Sequence, residues 1–304
     1  MALLFSKIQF KPMILCTLAW ILAVLVIYFV PPLGLIVALF MTLPGIILWH
    51  RSIHTFGLSA FITFIVATMT GSVFMMSIMI IIFVLSALIG RMLQMRASKE
   101  RILYMTTLVA SVLTLGIVML LQSIQKLPYA QELLQPYQSV VDQTIAMQDL
   151  DQASQEVLNN SVQQLAIQLP GLIVIALALF MFVTLIIICP ILRKFKIATP
   201  VFRPLYLWQM QRSIFIIYAI ALLVAITTEP ATTMNSVSIN FQIVLGFLLV
   251  IQGLSFIHFA CVVNRLHISL SILFVTLGIM FYPLTRLLGL LDIGLNLKSM
   301  INKR

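Results

Sequence analysis

Residues 169–190, LPGLIVIALALFMFVTLIIICP, decide the class of this protein. They carry no charge, and a helix needs roughly 20 such residues to cross a hydrocarbon core of about 30 Å. The stretch opens on a glutamine-rich segment and closes on Arg193, Lys194 and Lys196, so it has a polar flank at one end and a basic one at the other.

Working outward, the same pattern repeats over the whole chain. Its 304 residues are 62% hydrophobic and 9% charged, with a mean hydropathy of +1.15. Soluble domains use about 25% charged residues, so this apolar surface cannot be hidden in a water-soluble core. Helices of spanning length are expected at 12–30, 33–50, 53–70, 72–93, 102–124, 169–190, 213–229 and 239–263. The fold class is all-α: a polytopic membrane helical bundle with about eight full spans plus a C-terminal broken or re-entrant helical segment. Residues 1–304 read as one integral membrane domain carrying an insert at 125–168.

The first stretch follows Lys7 and Lys11 as a signal peptide does, but no small-residue cleavage site precedes Pro31-Pro32, so it is read as the first helix. Pro44-Gly45 interrupts the second, because proline lacks an amide donor and clashes with the preceding turn. The formal charge of +10 does not form a nucleic-acid footprint, since the Lys and Arg sit at the ends of apolar segments. Lys7, Lys11, Arg51, Arg91 to Arg101, Arg193 to Arg212 and Arg265 fall on one side under alternation. Lys126 falls on the other with Glu132, Asp142, Asp149, Asp151, Glu156 and Glu229. The basic side is cytoplasmic by the positive-inside rule, which puts the N-terminus inside and 125–168 outside.

The insert has a helical period: Leu133, Tyr137, Val140, Thr144 and Met147, then Leu158, Val162, Leu165 and Leu169. Two amphipathic helices are expected there, either as a lid over the bundle or as a solvated hairpin. Toward the C-terminus, Tyr282-Pro283 breaks an apolar stretch, and Thr285, Gly289, Asp292, Asn296 and Ser299 then recur at steps of three and four. That spacing places small and polar residues on one stripe of a helix otherwise covered by Leu and Ile. A broken hairpin would return Lys298, Lys303 and Arg304 to the cytoplasmic side.

Ionisable groups inside spans are the default functional signal, because hydrocarbon penalises charge. Glu229 reads as a helix boundary, whereas Arg286 and Asp292 are candidates for a site. The eighth span adds Gln242, Gly246, Gln252, Gly253, Ser255 and His258, which either line a solute cavity or bond across the bundle. His258 has no cysteine, histidine or acid at ligand spacing, so no metal is expected, and nothing calls for a cofactor. Ala19 and Ala23 form a small-xxx-small pair usable for packing or a partner subunit, and Met69, Met75, Met76 and Met79 make an adaptable apolar surface that is either core or, at Met75–Met79, a face for a partner helix. No Walker, Gly-x-Ser-x-Gly or His-Glu-x-x-His pattern occurs, so no enzymatic activity is expected.

Residues 252–259, QGLSFIHF, and 288–296, LGLLDIGLN, with a weaker echo at Leu43-Pro44-Gly45, resemble the YybS-like family of bacterial multi-pass membrane proteins. That family is of unknown function and is distantly similar to the substrate-binding membrane components of energy-coupling-factor vitamin transporters. The resemblance implies a bacterial cytoplasmic membrane protein that captures a small solute, with other subunits supplying motion. Eight or more spans exceed the six-helix plan of those components.

Two functions are therefore expected. One is a small-solute-binding or transport component with Gln252, His258, Arg286, Asp292 and Asn296 as ligand-binding residues. The other is a membrane scaffold or assembly factor for another membrane protein. The partners expected are a small-molecule solute, membrane lipid and a partner membrane subunit, with no nucleic acid.

Overall fold

A computed structural model describes residues 8–148, 151–229 and 232–302. Lys7, Asp149, Pro230, Lys303 and Arg304, which entered the charge partition or a helix end, lie outside the described residues. Among the described residues the regular structure is helical. In chain order it comprises α1 (Phe10–Phe29), α2 (Pro31–Ala38), α3 (Thr42–Arg51), α4 (Ile53–Met69), α5 (Val73–Gln94), α6 (Lys99–Ser123) and α7 (Ala130–Leu133). It continues through α8 (Gln135–Gln148), α9 (Gln152–Lys194), a 3-10 turn at Leu205–Leu207, α10 (Arg212–Thr227), α11 (Thr233–Val263), α12 (Ile268–Met280), α13 (Tyr282–Leu295) and α14 (Leu297–Asn302).

Six of these segments are long and apolar enough to cross a membrane, with α2 and α3 together forming one, and a seventh if the bent pair α12–α13 is one span. The expected spans at 53–70 and 213–229 are the shorter apolar helices α4, with 17 residues, and α10, with 16. At about 1.5 Å per residue they reach only about 25 Å, against a core of about 30 Å. Conversely, α9 has 43 residues and is about 65 Å long. The second amphipathic segment of the insert is continuous with the span after it. Of the first, the stripe residues Leu133, Tyr137, Val140 and Met147 are all exposed. Gln138 Nε2 donates to Asn159 Oδ1 at 3.1 Å and ties α8 to the start of α9.

The helices pack into two compact units, Met1–Leu121 with Ala176–Phe202, and Gln122–Ile175 with Arg203–Arg304. In the first, Pro44 interrupts the helix one turn upstream of itself. The chain turns at residues 39–41, because the Phe40 carbonyl has no amide to receive from Pro44 and the ring crowds that turn. The buried Trp20 of α1 fills the gap, donating its indole Nε1–H to the Met41 carbonyl at 2.7 Å and meeting Phe56 and Phe83 edge-on. Thr17 and Ser59 share a 2.6 Å hydroxyl bond between α1 and α4. Met75 and Met79 are buried in this core, whereas Met69 at the end of α4 is exposed.

In the second unit α11 is the hub. Asn235 and Gln242 donate to the Ala225 and Ala221 carbonyls of α10 at 3.1 Å, and Ser238 also donates to the Ala221 carbonyl. On another face of α11, Asn240 meets α9 beside Pro170: its Oδ1 accepts the Gly171 amide at 2.6 Å, and its Nδ2 donates to the Ile167 carbonyl at 2.8 Å. One carboxamide thus bridges two backbone groups that an unbroken helix pairs directly, at the turn where proline supplies no amide to the Ala166 carbonyl.

Candidate functional site

The site grows from a backbone contact. A Cβ on Gly253 of α11 would run into the Thr285 carbonyl oxygen, and one on Gly289 of α13 would run into that of Leu249. Two helices meet this closely only where both present hydrogen in place of a side chain. The stripe foreseen on α13 is the face used: Thr285, Gly289 and Asp292 are buried, and the Thr285 hydroxyl donates back to the Gly278 carbonyl at 2.5 Å. That last bond spans the bend, where α12 and α13 turn by 105° at Phe281 and Pro283 enters the first turn of α13.

Side by side, α11 and α13 bring Gln252 to Asp292. The Gln252 Nε2 donates to Asp292 Oδ2 at 2.5 Å, while its Oε1 accepts the Met210 amide at 2.9 Å. The second carboxylate oxygen, Oδ1, accepts the backbone N–H of Lys298 at 3.0 Å. Lys298 reaches that position because Asn296 takes a left-handed conformation, φ 55°, and turns the chain from α13 into α14. Its ammonium then donates to the Trp208 carbonyl at 2.5 Å and to Ser255 Oγ at 2.6 Å, with the Phe259 ring 5.9 Å away. The Ser255 hydroxyl lies 2.6 Å from the Leu205 carbonyl and 2.8 Å from that of Trp208, so its single proton is shared between them.

These groups are withdrawn from solvent, with Gln252 1%, Ser255 0%, Asp292 3% and Lys298 8% exposed. A carboxylate and an ammonium at such depth cost several kcal/mol apiece unless their bonds are filled. Here the filling is done by one carboxamide, one hydroxyl, the backbone N–H of Lys298 and the backbone of 205–210. Burial pushes the Lys298 ammonium below its usual value near 10.5, and the Asp292 charge pulls it partly back.

Of the five residues singled out from sequence, Gln252 and Asp292 are in direct contact. Asn296 shapes the turn and accepts from Gln209 Nε2 at 3.2 Å. His258 lies edge-on to Tyr206 at 5.5 Å, with its Nδ1 buried and without a hydrogen-bond partner among the described residues. Arg286 packs over Gly246 beside Tyr282. Gln242, which was open between a cavity and a cross-helix role, bonds α10. Lys298 was expected as a cytoplasmic anchor and is instead a buried member of the junction, because the left-handed turn at Asn296 carries it back against α11. Its six-residue spacing from Asp292 matches no helical period, so periodicity alone could not find it.

Apolar spanning helices, a bent C-terminal pair and a buried polar junction define a multi-pass all-α membrane protein. The chain belongs to the family described as predicted membrane protein (DUF2232), whose model matches residues 17–293. It is also similar to the uncharacterized protein YybS of Bacillus subtilis (strain 168), at 30% identity over 136 residues. That match covers 43% of this chain and 44% of the relative, so the chain aligns with less than half of the relative's length. No solved structure matches.

Proposed function

We propose that this protein is a solute-handling component of the bacterial cytoplasmic membrane, with its N-terminus cytoplasmic and 125–168 external. The Gln252–Asp292–Lys298 junction is the polar part of its site. The observation that supports this reading is the burial of Asp292 and Lys298 together, one in the second helix of a pair bent by 105° and the other just beyond it. Ionisable groups inside a membrane protein are retained mainly for function. Discontinuous helices beside such groups are a recurring way for transporters to present polar groups to a solute. In this reading the Met210 amide and the Trp208 carbonyl hold the places that polar groups of a solute take, and Asp292, Gln252 and Asn296 meet the solute. His258, with a vacant ring nitrogen, and Arg286 stand at its margin. The resemblance to energy-coupling-factor components points to the same class.

One observation favours a second reading, a scaffold for another membrane protein: the polar groups at the centre of the junction already bond one another across a backbone-tight helix contact. Mass spectrometry of small molecules released from the protein purified in nanodiscs separates the two. A molecule enriched with the wild type and absent from folded Gln252→Ala and Asp292→Asn variants is the expected result. An identical set of molecules from all three proteins overturns the solute role and leaves the scaffold.

A further inference from the structure

A second polar feature lies in the first unit, independent of the junction. The ends of α3, α5 and α9 border a cleft of about 440 Å³, lined on its polar side by His50, Arg51, Gln94, Arg96 and Lys196. Its apolar wall includes Ile47, Leu93 and Ile197, all buried. The volume falls within the range of small-ligand sites, roughly 300–1,000 Å³.

The charge of this cleft exceeds what its helices need. Each helix C-terminus presents about half a negative charge, so three of them offset about one and a half of the three full cations Arg51, Arg96 and Lys196. Among the described residues no acid lines the cleft, and the sequence of this unit holds a single one, Glu100. Two of the cations are also placed at a conformational cost. Arg96 and Lys196 occupy equivalent left-handed positions, φ 53° and 62°, just beyond α5 and α9. At each, the next residue closes the same helix-ending loop: Ala97 donates to the Met92 carbonyl at 3.0 Å and Ile197 to that of Leu192 at 3.1 Å. Glycine fills such positions without penalty, whereas a side chain there costs roughly 1–2 kcal/mol. The chain sets Arg and Lys there instead, and both line the cleft.

The geometry points to a phosphate-ester site: three guanidinium or ammonium groups and a carboxamide for the phosphate, and an apolar wall for the organic group it carries. A lipid headgroup and a soluble organic phosphate share this chemistry, and the test distinguishes them. The protein is placed in phosphatidylcholine nanodiscs. Phosphatidylglycerol is added in one arm, with bound lipid counted by native mass spectrometry. Phenyl phosphate is titrated in the other, followed by ³¹P NMR. The expected result is saturable binding of at least one probe, weakened ten-fold or more in the Arg96→Gly, Lys196→Gly double variant. These substitutions remove charge while relieving the left-handed strain, so the helix ends survive them. Binding of phosphatidylglycerol alone identifies a lipid headgroup as the occupant, and binding of phenyl phosphate identifies a soluble ester. The proposal is overturned if neither probe saturates, if the double variant binds as the wild type does, or if Arg101→Gln, outside the cleft, weakens binding equally.

Discussion

Gly289→Ala tests the backbone contact on which the junction rests. The new methyl carbon overlaps the Leu249 carbonyl oxygen and would stand 2.8 Å from the carbon of that group and 2.9 Å from the Gly253 nitrogen. Ordinary contact begins near 3.4 Å, so α11 and α13 must part by roughly 1.5 Å. Overpacking of this kind costs about 1–3 kcal/mol. The same movement stretches the Gln252–Asp292 bond from 2.5 Å to about 4 Å, beyond hydrogen-bond range. Losing a buried bond to a charged acceptor adds about 1.5–3 kcal/mol, and the helix-propensity gain of alanine returns up to about 1 kcal/mol. A net loss near 3 kcal/mol corresponds to a melting temperature lower by about 6–12 °C. The assay is thermal unfolding in nanodiscs followed by tryptophan fluorescence, with Trp208 reporting from the junction itself. Gly116→Ala is the control: no atom lies within 4 Å of its added Cβ, so only the propensity term acts and the protein gains about 0.5–1 kcal/mol. If Gly289→Ala melts within 2 °C of Gly116→Ala, the contact does not hold the junction together and the reasoning fails.

Three further outcomes are expected. Asp292→Ala strands the Gln252 amide and the Lys298 N–H and lowers stability by about 3–5 kcal/mol. Adding Gln252→Ala then costs at least about 1 kcal/mol less than it does alone, and an additive double-mutant cycle refutes the coupling. The lowered Lys298 value makes stability pH-dependent: between that value and 10.5 the unfolded chain binds more proton than the folded one, so stability rises with pH across this window. Lys298→Met should lack this rise, and parallel stability profiles for the two proteins would count against the assignment. Asn240→Leu leaves the Gly171 amide and Ile167 carbonyl without their bridge and should cost about 2–4 kcal/mol, whereas Asn240→Asp, at a pH where the carboxyl is protonated and so offers both an acceptor and a donor, should cost less. Chemical denaturation with circular dichroism measures both, and equal losses would show that the bridge is not the cause.

What the sequence revealed and what it concealed divide along physical lines. Periodic signals carried over well: the α13 stripe of Thr285, Gly289 and Asp292, and the Gly253 and Gln252 positions of α11, lie where helical spacing puts them and face each other. The break before α13 followed from Pro283, and the interruption of the second span from Pro44, one turn upstream of where the dipeptide itself stands. The number of spans was less legible: the stretches expected at 53–70 and 213–229 fold as helices within two residues of those bounds, but α4 and α10 are themselves short for a hydrocarbon core of about 30 Å. Lys298 was hidden because a lysine near a helix end reads as a headgroup anchor, and only the left-handed Asn296 turns it inward. The Asn240 bridge was hidden for another reason, since a contact across 69 residues leaves no trace in local spacing.

That bridge has a consequence for biogenesis. Gly171 of α9 is made before Asn240 of α11, and at roughly 5–20 residues per second the 69 residues from one to the other take some 3–14 s to synthesise. During that interval the carbonyl of Ile167 and the amide of Gly171 have only each other or water to satisfy them. The turn at Pro170 therefore exchanges these interim bonds for the Asn240 carboxamide only once α11 has been made, so this bridge forms late in synthesis.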